Sequence, residues 1–291
     1  MTATDALFEK AAAGAELTDG ERSALISSPD LLGLGMAADD TRRRRHGRRM
    51  TFVRVATLDI NTVDPATTTW PDAAGEVRLT GTPTDWSTAI ASVRVLAERA
   101  AGRVPITGFS LADLEAAGAP TVGQLKGAGL AAVGDAPIDR LRDPEAALSM
   151  ANDAGLSVLR LTVERAPAAV RQSMLDLAGS LTARWRSIQA FAPLPRLIAV
   201  DAPSTGYEDV RIVALARLLV DVPHVQVDWS LYGPKLAQVA LTFGGDDVDG
   251  VSAVDDMSLG RRRAPLEEIR RNIVAASGEP AERDGLFGLR N

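Results

Sequence analysis

The sequence predicts an α/β fold: a closed parallel barrel with a helical N-terminal extension and a C-terminal helix. Three observations carry this expectation. From residue 50 onward, short β-branched and apolar segments alternate with helical patterns, which implies parallel strands joined by right-handed crossovers. About seven or eight such units fit the chain, a number that suits a closed barrel better than an open doubly wound sheet. No Gly-x-Gly-x-x-Gly follows the first strand, which removes the main support for a dinucleotide-binding fold. With 291 residues, 46% of them hydrophobic, one large core is affordable. We expect an extension over 1–49, a barrel over 50–260, and a C-terminal helix and tail over 261–291 packed on the barrel.

The extension reads as helical. Residues 5–13 are amphipathic, and Thr18 with Glu21 three positions later has the spacing of a capping box. Ser28, before Pro29-Asp30, is expected to cap a short helix containing Leu31, Leu32 and Leu34. The basic run from Arg42 to Arg49 then suits a helix C-terminus electrostatically, or could grip phosphates or an acidic partner. Strands are expected at 51–60, 76–79, 104–108, 131–134, 157–163, 188–192, 225–229 and 249–254. Helices are expected at 86–101, 111–117 with 122–128, 138–154, 167–185, 207–220 and 235–243. A last helix at 265–276 carries Leu266, Ile269 and Ile273 on one face. The loop 61–75 follows the first barrel strand and falls at the C-terminal mouth, where barrels carry their chemistry.

The net charge of −6 argues against general nucleic-acid binding. The chain has no cysteine, which excludes disulfides, zinc–thiolate sites, cysteine nucleophiles and cysteine-bound iron–sulfur clusters. The start is polar, and no uncharged run approaches the roughly 18 apolar residues of a membrane span. A cytoplasmic protein without membrane contact is expected.

Several groups could carry chemistry. Asp246, Asp247 and Asp249 lie among glycines at a helix-to-strand junction, where they could meet a cation, a ribose diol or a cationic ligand, or simply follow a glycine-capped helix. Their spacing is not that of an EF-hand. Asp228, Trp229, Ser230 and Tyr232 close a strand expected to face the mouth. An aromatic ring beside a carboxylate suits a nucleoside-like ligand, and a Trp there is also ordinary packing. Glu115, Asp135 and Glu164 fall near strand ends as possible acid–base groups, with Glu164 first among them. His46 and His224 are the only histidines; two distant imidazoles argue for no metal, and neither sits beside a nucleophile elbow.

Some stretches resemble the radical S-adenosylmethionine enzymes of menaquinone synthesis by the futalosine route, namely aminofutalosine synthase and dehypoxanthine futalosine cyclase, and the related subunit of deazaflavin (FO) synthase. His46-Gly47-Arg48-Arg49-Met50-Thr51-Phe52-Val53 resembles their lead-in to the first strand, and Asp59-Ile60-Asn61 the "Ile-Asn" before the cluster loop. The most specific run extends from Glu208 to Gly250. It includes Pro223-His224-Val225, Gly233-Pro234-Lys235-Leu236-Ala237, and Phe243-Gly244-Gly245-Asp246-Asp247-Val248-Asp249-Gly250, similar to the family's "Phe-Gly-Ala-Asn-Asp-Leu-Asp-Gly". Phe191-Ala192-Pro193-Leu194 resembles "Phe-Ile-Pro-Leu". The likeness extends with gaps from about Leu17 to Asp284, and it implies a TIM-like barrel of the radical SAM type.

The departures are as informative. The family holds a [4Fe–4S] cluster through Cys-x3-Cys-x2-Cys after "Ile-Asn", and the corresponding positions here are Ala66, Trp70 and Ala73. Thr80-Gly81-Thr82-Pro83 replaces a longer "Gly-Gly-x-His-Pro" stretch, which puts S-adenosylmethionine binding in doubt. Val163-Glu164 stands where the family has "Gly-His-Val-Glu-Thr". The resemblance therefore implies a cluster-free pseudoenzyme with no expected cofactor. Three functions follow. The first is a non-catalytic partner of a cysteine-bearing paralogue, or a binder of a nucleoside-like pathway intermediate, as a homo- or hetero-dimer. The second is an enzyme using Glu164, Asp228, Asp246 or Asp247 for non-radical acid–base chemistry on a nucleoside-like or chorismate-derived substrate. The third is an unrelated barrel hydrolase or isomerase.

Overall fold

A computed structural model describes residues 3–167, 170–197 and 204–290. Eight parallel strands close on themselves: β1 (Arg49–Asp59), β2 (Glu76–Thr80), β3 (Ile106–Ser110), β4 (Ala132–Pro137), β5 (Arg160–Val163), β6 (Ala190–Pro195), β7 (His224–Asp228) and β8 (Asp247–Ser252). Each pairs with the next in parallel, and β1 pairs with both β8 and β2, which completes the barrel.

The extension contributes α1 (Ala3–Ala12), α2 (Asp19–Ser27) and α3 (Leu31–His46). Around the barrel run α4 (Trp86–Ala100), α5 (Leu111–Ala117), α6 (Ala119–Gly127), α7 (Pro144–Asp153), α8 (Arg171–Arg184), α9 (Gly206–Leu219), α10 (Trp229–Thr242) and α11 (Pro265–Ala275). A ninth strand, β9 (Glu279–Arg283), pairs in parallel with the first half of β1.

Side chains along each strand alternate between two environments. Val77 and Leu79 of β2, Leu161 of β5 and Val225 of β7 share one core with Val93, Leu96, Leu125 and Val213 of the surrounding helices. A second, smaller core of Met50, Phe52, Val248 and Val251 receives Ile269 and Ile273 of α11, the face expected from their spacing.

Several boundaries differ from expectation for local reasons. Asp30, not Ser28, caps α3, its carboxylate accepting from the Gly33 amide at 2.8 Å. Nor is α3 short: it continues to His46 and stops where Gly47 takes a positive φ of 62°. The basic run is thereby absorbed into a helix end. Arg42 and Arg43 pair with Asp39, Arg44 donates to the Ala12 carbonyl, and Arg45 reaches the Val222 carbonyl and Asp221. The helix expected from 138 begins only at Pro144, because Asp143 caps it and proline at the first turn suits a start. Trp229 belongs to α10 rather than to the preceding strand, and Gly233-Pro234 kinks that helix. Part of the stretch expected as helix at 167–185 lies outside the described residues.

Candidate functional site

Charged side chains fill the barrel interior. Arg78 of β2 grips Asp249 of β8 with two bonds, 2.7 and 3.0 Å, and Glu76 with two more, 2.7 and 2.8 Å. Arg160 of β5 reaches the same Asp249 at 2.6 Å and donates to the Gly134 carbonyl. Thr107 of β3 donates to Glu76. Because β2, β5 and β8 are not neighbours, these bonds cross the interior and occupy it. Asp249 is completely buried. Burial alone would raise its pKa, but the guanidinium groups of Arg160 and Arg78 outweigh that and hold it well below the usual carboxylate range.

Above this plug the mouth remains open. A cavity of about 810 Å³ lies at the C-terminal ends of the strands. Its floor is Arg78 and Arg196, its sides carry Asp113, Asp135 and Asp228, and Trp70 and Phe109 add aromatic surface. Thr57, Thr80, Thr82, Ser110, Ser230 and Ser252 contribute hydroxyls. Arg196 spans the floor between Asp135 at 3.3 Å and Asp228 at 2.9 Å. Loop 61–75 neither seals the mouth nor leaves it: Thr69, Trp70 and Pro71 form part of the wall. Arg99 of α4 pins this loop by stacking over Trp70 at 5.7 Å and donating to the Pro65 carbonyl.

The structure separates the site residues expected from the sequence. Asp228 and Asp135 line the cavity. Asp228 is also the cap of α10, accepting from the Ser230 and Leu231 amides at 2.9 and 3.1 Å. Trp229 and Tyr232 do not line the cavity: both pack against the apolar core, and the Tyr232 hydroxyl donates to the Pro195 carbonyl. Glu164 pairs with Arg140 at 3.2 Å, and Glu115 accepts from the Arg142 and Asp143 amides at 3.2 and 3.1 Å. Both lie outside the cavity wall.

The three aspartates of the glycine-rich junction do not share a site. Asp249 belongs to the interior plug. Asp247 sits nearer the floor, bonded to Arg283 of β9 at 2.6 and 2.7 Å, to Gln226 at 2.6 Å and to Thr51 at 2.6 Å. Asp246 lies at the floor, where it accepts from Arg217, from the Val225 amide at 2.9 Å and from His224 Nδ1 at 2.6 Å. All three are buried because each has an arginine partner, and a buried carboxylate requires one. Sequence reasoning missed those arginines. The available signal was the Glu76–Arg78 pair in Glu-Val-Arg-Leu-Thr and the lone charge Arg160 in Leu-Arg-Leu-Thr-Val, charges at inward positions of strands.

The positions that correspond to cluster ligands carry side chains engaged elsewhere or without donor atoms. The Ala66 amide donates to Asp64, Trp70 lies under Arg99, and the Ala73 carbonyl accepts from Arg290. None offers a thiolate, an imidazole or a carboxylate, so these residues do not fit a [4Fe–4S] cluster.

Fold and site together define a closed TIM-like β/α barrel with its interior filled by ion pairs and its mouth open. No family model matches the sequence. The chain is similar to aminodeoxyfutalosine synthase of Thermus thermophilus, 36% identical over 91 residues, 29% of this chain and 24% of that protein. It is 48% identical to the Streptomyces coelicolor aminodeoxyfutalosine synthase over 56 residues, 19% of this chain and 14% of that one. The 5-amino-6-(D-ribitylamino)uracil–L-tyrosine 4-hydroxyphenyl transferase of Archaeoglobus fulgidus is 33% identical over 94 residues, 30% of this chain and 27% of that protein. These matches span about a quarter or less of the relatives' lengths. Among solved structures, the [FeFe]-hydrogenase maturase HydG superposes with a TM-score of 0.67 at 14% identity, over 97% of this chain and 76% of that one. Methylornithine synthase (PylB) gives 0.66 at 16% identity, over 94% and 97%. At that identity the structures establish the fold alone. The chain is thus similar over part of its length to aminodeoxyfutalosine synthases and to the 4-hydroxyphenyl transferases, and it contains no cysteine.

Proposed function

We propose that this protein is a cluster-free, non-catalytic member of a futalosine-type pathway that binds a small, nucleoside-like molecule at the barrel mouth. The observation that carries the reading is the open cavity above an ion-filled interior, beside cluster positions without ligands. Two arginines on the floor are already paired, and three carboxylates ring the wall, so a neutral or cationic ligand is favoured over a phosphorylated one. Trp70 and Phe109 suit a planar ring, and the hydroxyls suit a polyol. The two mouth carboxylates expected to act in acid–base catalysis or beside it, Asp228 and Asp135, are both held by Arg196, which favours binding over proton transfer. The names of the curated relatives support a place near menaquinone synthesis. Partnership with a cysteine-bearing paralogue, as a homo- or hetero-dimer in the cytoplasm, belongs to the same proposal and is tested by co-purification from the native host.

The direct experiment is calorimetric titration with adenosine, adenosine monophosphate and S-adenosylmethionine. Adenosine is expected to bind more tightly than its monophosphate, and Trp70→Ala to weaken it roughly tenfold, about 1.4 kcal/mol. Equal affinity for the phosphorylated compound, or binding indifferent to Trp70, would remove the mouth as the site.

A further inference from the structure

At the opposite end of the barrel, three chain segments meet around one carboxylate. His46 ends α3, His224 begins β7, and their rings stack at 4.9 Å with planes only 15° apart. Phe287 of the tail stacks on the other face of His224 at 5.5 Å, and Arg283 covers Phe287 at 4.0 Å. His224 Nδ1 lies 2.6 Å and His46 Nε2 3.3 Å from the same oxygen of Asp246, and His46 Nε2 is 2.8 Å from the Pro223 carbonyl.

Two imidazoles and a carboxylate suggest a metal, but the ring geometry opposes one. An imidazole nitrogen binds a metal in its own ring plane, along its lone pair. Two stacked, nearly parallel rings have no common in-plane point near their nitrogens. The same nitrogens already face oxygen acceptors, as N–H donors do. The ring geometry therefore favours hydrogen bonding over metal ligation in this cluster.

We propose that His46, His224 and Asp246 form a proton-operated latch, which fastens the end of α3 and the tail at Phe287 to the barrel floor and loosens when both imidazoles are charged. His224 faces Asp246, Asp247 and Arg283. Burial disfavours its charge, but the bond to Asp246 and the two carboxylates outweigh burial, so it holds a proton more firmly than an ordinary histidine. His46 faces Asp246, His224 and Arg217, with Arg42 and Arg45 on its own helix and Asp221 paired to Arg45. Burial dominates there and pushes its proton affinity down. The signs are opposite. The part of stability due to His224 is present below about pH 6.5, the unfolded value, and is lost as pH rises through its raised one. The part due to His46 is present above about pH 6.5 and is lost as pH falls through its lowered one. The latch is therefore tightest near neutrality, and acid opens it by placing a second charge beside His224 and Arg217.

The chain has two histidines, so proton NMR of the imidazole Cε1–H signals resolves both, and His46→Gln assigns them. The expected result is two separate titrations, His224 above and His46 below the ordinary histidine value. Amide exchange at the end of α3, corrected for intrinsic rates, should rise about tenfold from pH 7 to pH 5 in the natural protein and less than about twofold in His46→Gln. That variant keeps a donor for Pro223 and loses the charge. Should it fail to fold, His224→Asn, which keeps a donor for Asp246, is expected to abolish the same acid response. Coincident titration near pH 6.5, or an unchanged acid response in whichever variant folds, would overturn the latch.

Discussion

Asp249 shows how a candidate ligand-binding carboxylate can instead serve the interior of the fold. It serves as the acceptor for two guanidinium groups at the centre of the barrel, within 4.0 Å of a third, Arg196. Removing one partner of a buried pair leaves an uncompensated charge, at a cost of about 3–5 kcal/mol. Asp249→Asn is accordingly expected to lower urea stability by about that amount, whereas Glu164→Gln, on a paired residue nearer the surface, should change it by less than about 1 kcal/mol. Denaturant melts of both variants check this contrast. A second expectation follows from the depressed proton affinities of Glu76, Asp246, Asp247 and Asp249, in each of which neighbouring cations overcome burial. Their stabilisation is present above the unfolded carboxylate range, near pH 4, and is lost as pH falls through their lowered folded values. Acid unfolding monitored by circular dichroism should therefore steepen below about pH 4. Asp246, Asp247 and Asp249 were legible in the sequence as candidates and Glu76 was not; the burial of those three was hidden because it depends on arginines distant in the chain. The same is true of Trp229 and Tyr232, whose placement beside Asp228 in the sequence does not reveal which way a kinked helix turns them.

At the scale of elements, the alternation of strand and helix patterns was sufficient to find all eight barrel strands. Ends were harder, since caps compete locally. Ser28 and Asp30 both have capping side chains, and the geometry selects Asp30. Asp30→Ala is expected to cost about 1 kcal/mol of stability, and Ser28→Ala less than about half that, in thermal melts of the two variants. β9 was not legible as a strand. Glu-Pro-Ala-Glu-Arg has a proline and three charges, the composition of an edge rather than a buried strand. It forms because β1 is long: its second half pairs with β2, which leaves its first half a free edge that β9 occupies. Pairing, not propensity, makes that strand.

For the molecule as a whole, the barrel fold is shared with HydG and methylornithine synthase, while the chain contains no cysteine. Anaerobic incubation with iron and sulfide, followed by desalting, is expected to leave neither retained iron nor the visible absorbance of a cluster. Among the described residues no helix is long and apolar enough to cross a membrane. The fold class followed from the pattern of the chain, and the lack of cysteine ligands from its composition. What the mouth accepts depends on side chains from β1, β2, β3, β4, β7 and β8, and from the segment just after β6, converging in space, which no local pattern contains.

The placement of β9 has a consequence for how the protein is made. The strand that completes the floor pairs with the first strand of the barrel, and its Arg283 neutralises Asp247 inside the wall. A ribosome delivers β1 early and β9 only after all the other strands. Until then β1 has an unpaired edge and Asp247 lacks its guanidinium. Stalled or truncated chains should thus be trapped with an open seam, an adhesive edge that invites pairing with another copy. Emergence of β9, rather than formation of the eight-stranded ring, is the step that commits this barrel to its final form.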